Sequence, residues 1–132
     1  MINQNHFKND LNQNDDLAVN CQLHNGTFIL LYADDILLLA PSVTTLEKLL
    51  HACENELCWL DMIINTKKSC CLRIGPRNHV SCANITTLSG HSLPWISEMR
   101  YLGVFIVRSC KFKCSFEAAK RSFYRSANII TV

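Results

Sequence analysis

The segment FILLYADDILLLA, Phe28–Ala40, is apolar along thirteen residues apart from Tyr32 and two adjacent aspartates, Asp34 and Asp35, at its centre. Burying one ionised carboxylate without a partner is costly, and burying two that repel is costlier. Something in the fold must therefore compensate the pair. The run is far short of the ~20 residues that a membrane-spanning helix needs, and two central aspartates exclude such a span. The apolar stretches on either side, 28–32 and 36–40, are each of strand length. A chain reversal between them makes a hairpin with Asp34 and Asp35 near its tip, and Pro41 ends the second strand.

The surroundings extend this pattern. Asn25-Gly26 is a hairpin-turn signal between two short extended runs. Residues 1–20, rich in Asn, Asp and Gln, read as a weakly ordered segment. After Pro41, Thr44 and Glu47 have capping-box spacing, and Leu46, Leu49, Leu50, Cys53, Leu57 and Leu60 recur at helical intervals. They predict an amphipathic helix over 44–60. Short extended pieces are expected near 61–64 and 70–74, a Gly/Pro break at 75–76, and strands near 83–87, 91–95 and, most strongly, 99–107. A basic helix over 115–130 closes the chain. This order implies an α+β fold, an antiparallel sheet with helices on one face.

At 132 residues the chain is the size of one domain. Its charge is uneven: residues 1–61 carry a net −7, residues 62–98 +3 and residues 99–132 +6. An acidic first half suited to cations thus precedes a basic second half suited to a polyanion, although mutual attraction of the halves explains the same distribution. Eight cysteines invite a disulfide or zinc reading, but no C-x-x-C occurs and the start MINQNHFKND is no signal peptide. Reduced intracellular cysteines, with no disulfide-linked partner, are expected.

Adjacent aspartates at a turn are ordinarily a solvated turn. Held rigidly at the tip of an apolar hairpin, they also supply the hard oxygen ligands that suit Mg²⁺, with Mn²⁺ as the alternative ion. The matching chemistry is two-metal phosphoryl transfer. The sequence context favours this reading: LLYADDILLLA closely resembles the [FY]-x-D-D signature of reverse transcriptases, in the Tyr-Ala-Asp-Asp form of non-LTR (LINE-type) retrotransposons. Further resemblances follow in family order. PSVTTLEKLLHACENEL is similar to the palm helix after the catalytic hairpin, INTKKSCCLRIG to the N-x-x-K-[ST] segment, YLGVFIV to the primer-grip hairpin, and CSFEAAKRSFYRSANII to the basic helix that opens the thumb. Together they span residues 21 to 132.

The resemblance implies roles for individual residues. Asp34 and Asp35 would be the catalytic, metal-facing pair, with Tyr32 and Ala33 near the incoming nucleotide and primer end. Lys68 would lie near the triphosphate, where a cation offsets charge on the leaving pyrophosphate. Tyr101, Leu102 and Gly103 would form the primer grip, and Lys111, Lys113, Lys120, Arg121 and Arg125 would contact nucleic-acid phosphates. Taken singly, Lys68 reads as an ordinary exposed lysine, Leu102 as strand core and the basic run as a solvated face. The implied partners are an RNA template, a DNA primer and deoxynucleoside triphosphates, with no membrane, at a nuclear or cytoplasmic location. Residues 21–107 would be part of a palm and 108–132 the start of a thumb.

The family's active site also needs an aspartate on a separate upstream strand. The earlier aspartates here, Asp10, Asp15 and Asp16, lie in a stretch without strand character. The expectation is thus a remnant or partial reading frame of a retrotransposon polymerase that does not polymerise on its own. The alternatives are a catalytically inactive nucleic-acid-binding remnant built on the basic half, and a Cys/His zinc module.

Overall fold

The computed structural model describes residues 18–23 and 26–130, which divide into two compact units. The first comprises the described residues up to Asn65 together with Ile85–Ser92. Its principal sheet is an antiparallel meander of β1 (Ala18–Leu23), β2 (Thr27–Tyr32) and β3 (Asp35–Leu39), in that order. Strand β1 begins inside the segment expected to be weakly ordered; the rest of that segment and Asn25 lie outside the described residues. Gly26, in the loop before β2, takes φ +70°, a backbone state open to glycine without cost.

Register explains why the run around the aspartates is apolar on every residue rather than on alternate ones. Ile29 pairs with Leu38 and Leu31 with Ile36, so these four share one face of the sheet. Phe28, Leu30 and Tyr32 share the other face with Leu39, Leu37 and Asp35. Both faces are apolar, the pattern of a strand pair meant to be covered twice. Ile29 is only 5% exposed, whereas Leu39, on the opposite face, is 43% exposed.

Helix α1 (Val43–Trp59) follows and packs against β3 and against β4 (Ile85–Thr86). Its cap differs from the expected Thr44/Glu47 box. Ser42 is the N-cap, and its Oγ accepts from the Thr45 N–H at 3.1 Å. Glu47 is drawn away by a long-range partner: it accepts from the Thr86 N–H at 3.0 Å and the Thr86 hydroxyl at 2.9 Å. One and two turns further along α1, the same side of the helix holds the same segment. His51 Nε2 donates to the Thr86 carbonyl at 2.7 Å, and Glu54 accepts from the Leu88 N–H at 2.9 Å. Between these polar clamps sit Leu49, Leu50 and Ile85, the last 1% exposed.

The helix stops in a Schellman arrangement. Met62 N–H donates to the Leu57 carbonyl at 2.9 Å and Asp61 N–H to that of Cys58 at 3.2 Å, with Asp61 at φ +53° where glycine is usual. Leu60 therefore falls outside the helix and is 68% exposed, so it does not extend the apolar face as its spacing suggested. The expected strand at 61–64 does not form, and Ile63 is 95% exposed.

The second unit comprises residues 66–84 and the described residues from Leu93 onward. The expected strand at 70–74 is reduced to isolated parallel bridges, Cys71 with Trp95 and Ile74 with Ser109. The expected strands at 83–87 and 91–95 shrink to two-residue pieces, β4 and β5 (Ser92–Leu93), which pair with each other. The segment 99–107 is a hairpin rather than one strand: β6 (Glu98–Tyr101) turns at Leu102-Gly103 into β7 (Val104–Val107), and β8 (Cys114–Ser115) pairs on the far side of β7. Helix α2 (Glu117–Ile130) ends the described chain. Instead of the single expected sheet there are three small ones among the described residues, and the fold is a mixed α+β.

The seven cysteines whose side chains are described are free thiols. Burial pushes the Cys53 and Cys70 thiols up, and that of Cys71 up to about 11. None of the described helices is long and apolar enough to cross a membrane.

Candidate active site

Asp34 lies on a two-residue reversal between β2 and β3, and Asp35 directly follows it. Tyr32 pairs directly with Asp35, which leaves Ala33 and Asp34 as the whole of a two-residue turn. Two-residue hairpin loops match the twist of their strands when φ is positive at the first central position or at both. Here Ala33 has φ +52° and Asp34 is not in the left-handed region. Glycine is the ordinary occupant of such a position, and an alanine there costs about 1 kcal/mol. Sequence reasoning located this turn but not its strained first residue; the two-residue loop length is the signal that could have found it.

Ala33, Asp34 and Asp35 are all exposed, and Tyr32 is 38% exposed. The conflict posed by carboxylates in an apolar run is thereby resolved: the strands are partly buried, and the turn lifts the charges into water. Asp34 sits on the turn, while Asp35 opens β3 on the same face as Tyr32. Both are hard, anionic oxygen donors on a short, register-fixed element, a donor set that fits Mg²⁺ or Mn²⁺. Among the described residues, no group of three His, Cys, Asp or Glu side chains lies close enough to hold a metal ion.

The other predicted residues lie in the second unit. Lys68 is exposed in the turn 66–68. Tyr101, Leu102 and Gly103 do come together at the β6–β7 turn, where Leu102 and Gly103 both take positive φ, +49° and +80°. Tyr101 is half-buried and Leu102 is 50% exposed, so Leu102 is not strand core. Lys111 and Lys113 are exposed just before β8, and Lys120, Arg121 and Arg125 are exposed on α2. Lys120 lies 3.8 Å from Glu117, a solvated i,i+3 pair of little energetic weight, and Arg121 Nε donates to the Glu117 carbonyl at 3.4 Å. The exposed aromatics Phe112, Phe116, Phe123 and Tyr124 interleave with these cations.

Against known proteins, the family model described as "Reverse transcriptase (RNA-dependent DNA polymerase)" matches residues 5–106, a span that includes the Asp34-Asp35 turn and most of the β6–β7 hairpin. A search of curated proteins and of solved structures found no match to the chain. The family match covers well over half of the 132 residues, and the chain belongs to the reverse transcriptase (RNA-dependent DNA polymerase) family.

Proposed function

We propose that this chain carries the metal-facing half of a nucleotidyl-transfer site from a non-LTR retrotransposon polymerase, which copies RNA into DNA in the nucleus or cytoplasm. The observation that carries the reading is the exposed Asp34-Asp35 pair on a two-residue turn fixed by register between apolar strands. Divalent cations held by Asp34 and Asp35 would supply charge neutralisation at the attacking and leaving oxygens. Every other part is the chain's own. The small Ala33 leaves room beside the carboxylates for a nucleotide, and Tyr32 presents an aromatic edge there. Lys68 supplies a mobile cation for the triphosphate of an incoming deoxynucleotide. The Tyr101–Gly103 turn offers backbone and an apolar side chain to a primer end. Lys111, Lys113, Lys120, Arg121 and Arg125 neutralise backbone phosphates. In this reading residues 21–107 are palm and 108–132 thumb.

Two carboxylates fix a cation less tightly than a three-sided cage does, and most of the positional advantage of two-metal catalysis depends on that cage. The described chain offers no third acidic group beside the pair. The chain alone is therefore proposed not to polymerise. A primer-extension assay on an RNA template with Mg²⁺ tests this. No template-dependent product is expected, and synthesis that Asp34→Asn abolishes would overturn the proposal.

A second reading rests on a separate observation, the exposure of all five predicted basic residues. It makes the chain a catalytically inactive nucleic-acid-binding module. Salt-sensitive RNA binding that survives Asp34→Asn/Asp35→Asn, without extension activity, is the outcome it predicts. Binding indifferent to ionic strength would count against it.

A further inference from the structure

A cleft of about 340 Å³ opens within the second unit, lined by Arg73, Asn78, Asn84, Trp95 and Arg108 among others. It lies at the base of the β6–β7 ribbon, not at its turn. The Arg108 N–H donates to the Ser97 carbonyl at 2.7 Å, extending the ladder one step beyond the Glu98–Val107 pair. None of the residues read as catalytic, triphosphate-binding, primer-gripping or phosphate-contacting belongs to it.

Its chemistry is lopsided. Two arginines, Arg73 and Arg108, line the cleft, and no Asp or Glu is among its lining residues. Arg73 is already oriented: its Nη1 donates to the Val80 carbonyl at 3.3 Å and to Cys82 Sγ at 2.7 Å. Neither acceptor is a carboxylate, so they position the cation without forming an ion pair with it. The Arg108 guanidinium has no partner among the described residues. Two like charges facing one cavity repel, and an anion between them is the ordinary relief.

The cleft also presents an aromatic surface. Trp95 is half-buried, and its Nε1–H donates to the Ala83 carbonyl at 3.1 Å, which sets the orientation of the indole. Its backbone bridges to Cys71, with Cys71 N–H donating to the Pro94 carbonyl and Ile96 N–H to that of Cys71, each at 2.8 Å. The indole is thus held through its Nε1–H, on a backbone that is itself fixed. Asn78 donates its amide to the Gly75 carbonyl at 2.9 Å, which leaves its oxygen available, and the exposed Asn84 side chain adds a second amide. An aromatic plane, neutral amides and two cations are what an unstacked nucleotide uses: base on ring, base edge on amides, phosphate on guanidinium. The volume lies at the small end of ligand sites and suits one nucleotide unit. A duplex keeps its bases stacked and cannot offer that contact.

We propose that this cleft binds one nucleotide of a single-stranded nucleic acid, with its base against Trp95 and its phosphate held by Arg73 and Arg108. The site is independent of the Asp34-Asp35 turn and of the polymerase reading built on it.

The test uses the full 132-residue chain with Trp59→Phe, so that Trp95 is the sole tryptophan. Titration with ten-nucleotide oligo(U) and oligo(dT) should quench Trp95 emission, and the two oligomers distinguish RNA from DNA as the strand. Arg108→Gln should weaken binding about tenfold and reduce the salt slope by about one, while Arg108→Lys should keep the slope. Because the Arg108 guanidinium makes no bond within the described protein, this substitution removes none. As a second route, Asn84→Asp should weaken binding by placing an acid in the cleft. Asp34→Asn/Asp35→Asn should leave the quenching unchanged, even if the polymerase reading fails. The proposal is overturned by emission that neither oligomer moves, by equal affinity and slope in Arg108→Gln, by quenching from an acidic peptide as strong as from oligo(U), or by loss of quenching in the double aspartate variant.

Discussion

The two hairpins of this protein solve the same geometric problem with different materials. Each places a tyrosine before a two-residue turn, and each puts a non-glycine residue with φ near +50° at the first turn position, Ala33 in one and Leu102 in the other. Each ribbon holds one well-buried isoleucine, Ile29 at 5% exposure and Ile106 at 7%. They diverge in what the turn carries. The β2–β3 hairpin raises two carboxylates on strands that are apolar on both faces. The β6–β7 hairpin raises an exposed leucine and a glycine on a strand, β6, that alternates exposed and half-buried residues. A charged tip is soluble by itself, so its strands are free to be wholly apolar and to be gripped from both sides. An apolar tip needs polar residues along its strand. The difference accords with the proposal that the first hairpin holds charge in a fixed place and the second offers a surface.

The comparison can be broken at its supports first. Ile29→Ala should destabilise the first unit by about 2–4 kcal/mol through the cavity it leaves, measured by urea unfolding. Ile106→Ala should cost about the same in the second unit. A loss under about 1 kcal/mol at either site would show that its ribbon is not held by that side chain.

Turn substitutions give the next largest effects, and they differ in sign. Gly103→Ala should destabilise by about 1 kcal/mol. A Cβ there meets nothing within 4 Å, so the cost is that of the backbone alone. Ala33→Gly should stabilise by roughly 0.5 kcal/mol, because relief of positive φ outweighs the extra freedom of the unfolded chain. Loss of stability in Ala33→Gly would mean that the carboxylate turn is not strained and that the parallel between the hairpins fails.

The smallest effect separates the hairpins by pH. Helix α1, which backs the first unit, is clamped by Glu47, and the hydrogen bond from the Thr86 N–H, followed by that from its hydroxyl, holds the Glu47 carboxyl below its ordinary value. A group whose folded pKa is depressed contributes stability that is present above its unfolded pKa, near 4.3. That contribution falls away as pH drops through the folded value. Acid titration of stability should therefore show a component below about pH 4.3 that Glu47→Gln removes. An unchanged acid profile in that variant would sever the clamp from stability.

What was legible in the sequence was what neighbouring residues decide among themselves. The apolar spacing of Leu46, Leu49, Leu50, Cys53 and Leu57 announces α1, and the aspartates centred in an apolar run announce the hairpin. What was not legible depends on partners far along the chain. Glu47 reads as a capping residue until Thr86, 39 positions later, takes its carboxylate and Ser42 caps in its place. Residues 70–74 look extended, yet they find bridges rather than a ladder because Trp95 and Ser109 each meet them at a single point. The cleft that gathers Arg73, Trp95 and Arg108 leaves no local signature at all, since its residues are scattered from Arg73 to Arg108. The Tyr-Ala-Asp-Asp motif was recognisable in the sequence, but only the structure gives the strained φ of Ala33 and the exposure of both carboxylates.

The claim on which the functional reading rests is that Asp34 and Asp35 form a cation-holding point. Substoichiometric Mn²⁺ added to ¹⁵N-labelled protein tests it directly, because the ion broadens amide resonances according to their distance from it. The account predicts that Tyr32, Ala33, Asp34, Asp35 and Ile36 broaden first, and that Asp34→Asn/Asp35→Asn abolishes the effect. Broadening centred on the other acidic residues of the first unit, such as Glu54 and Glu56, or unchanged in the double variant, would contradict it.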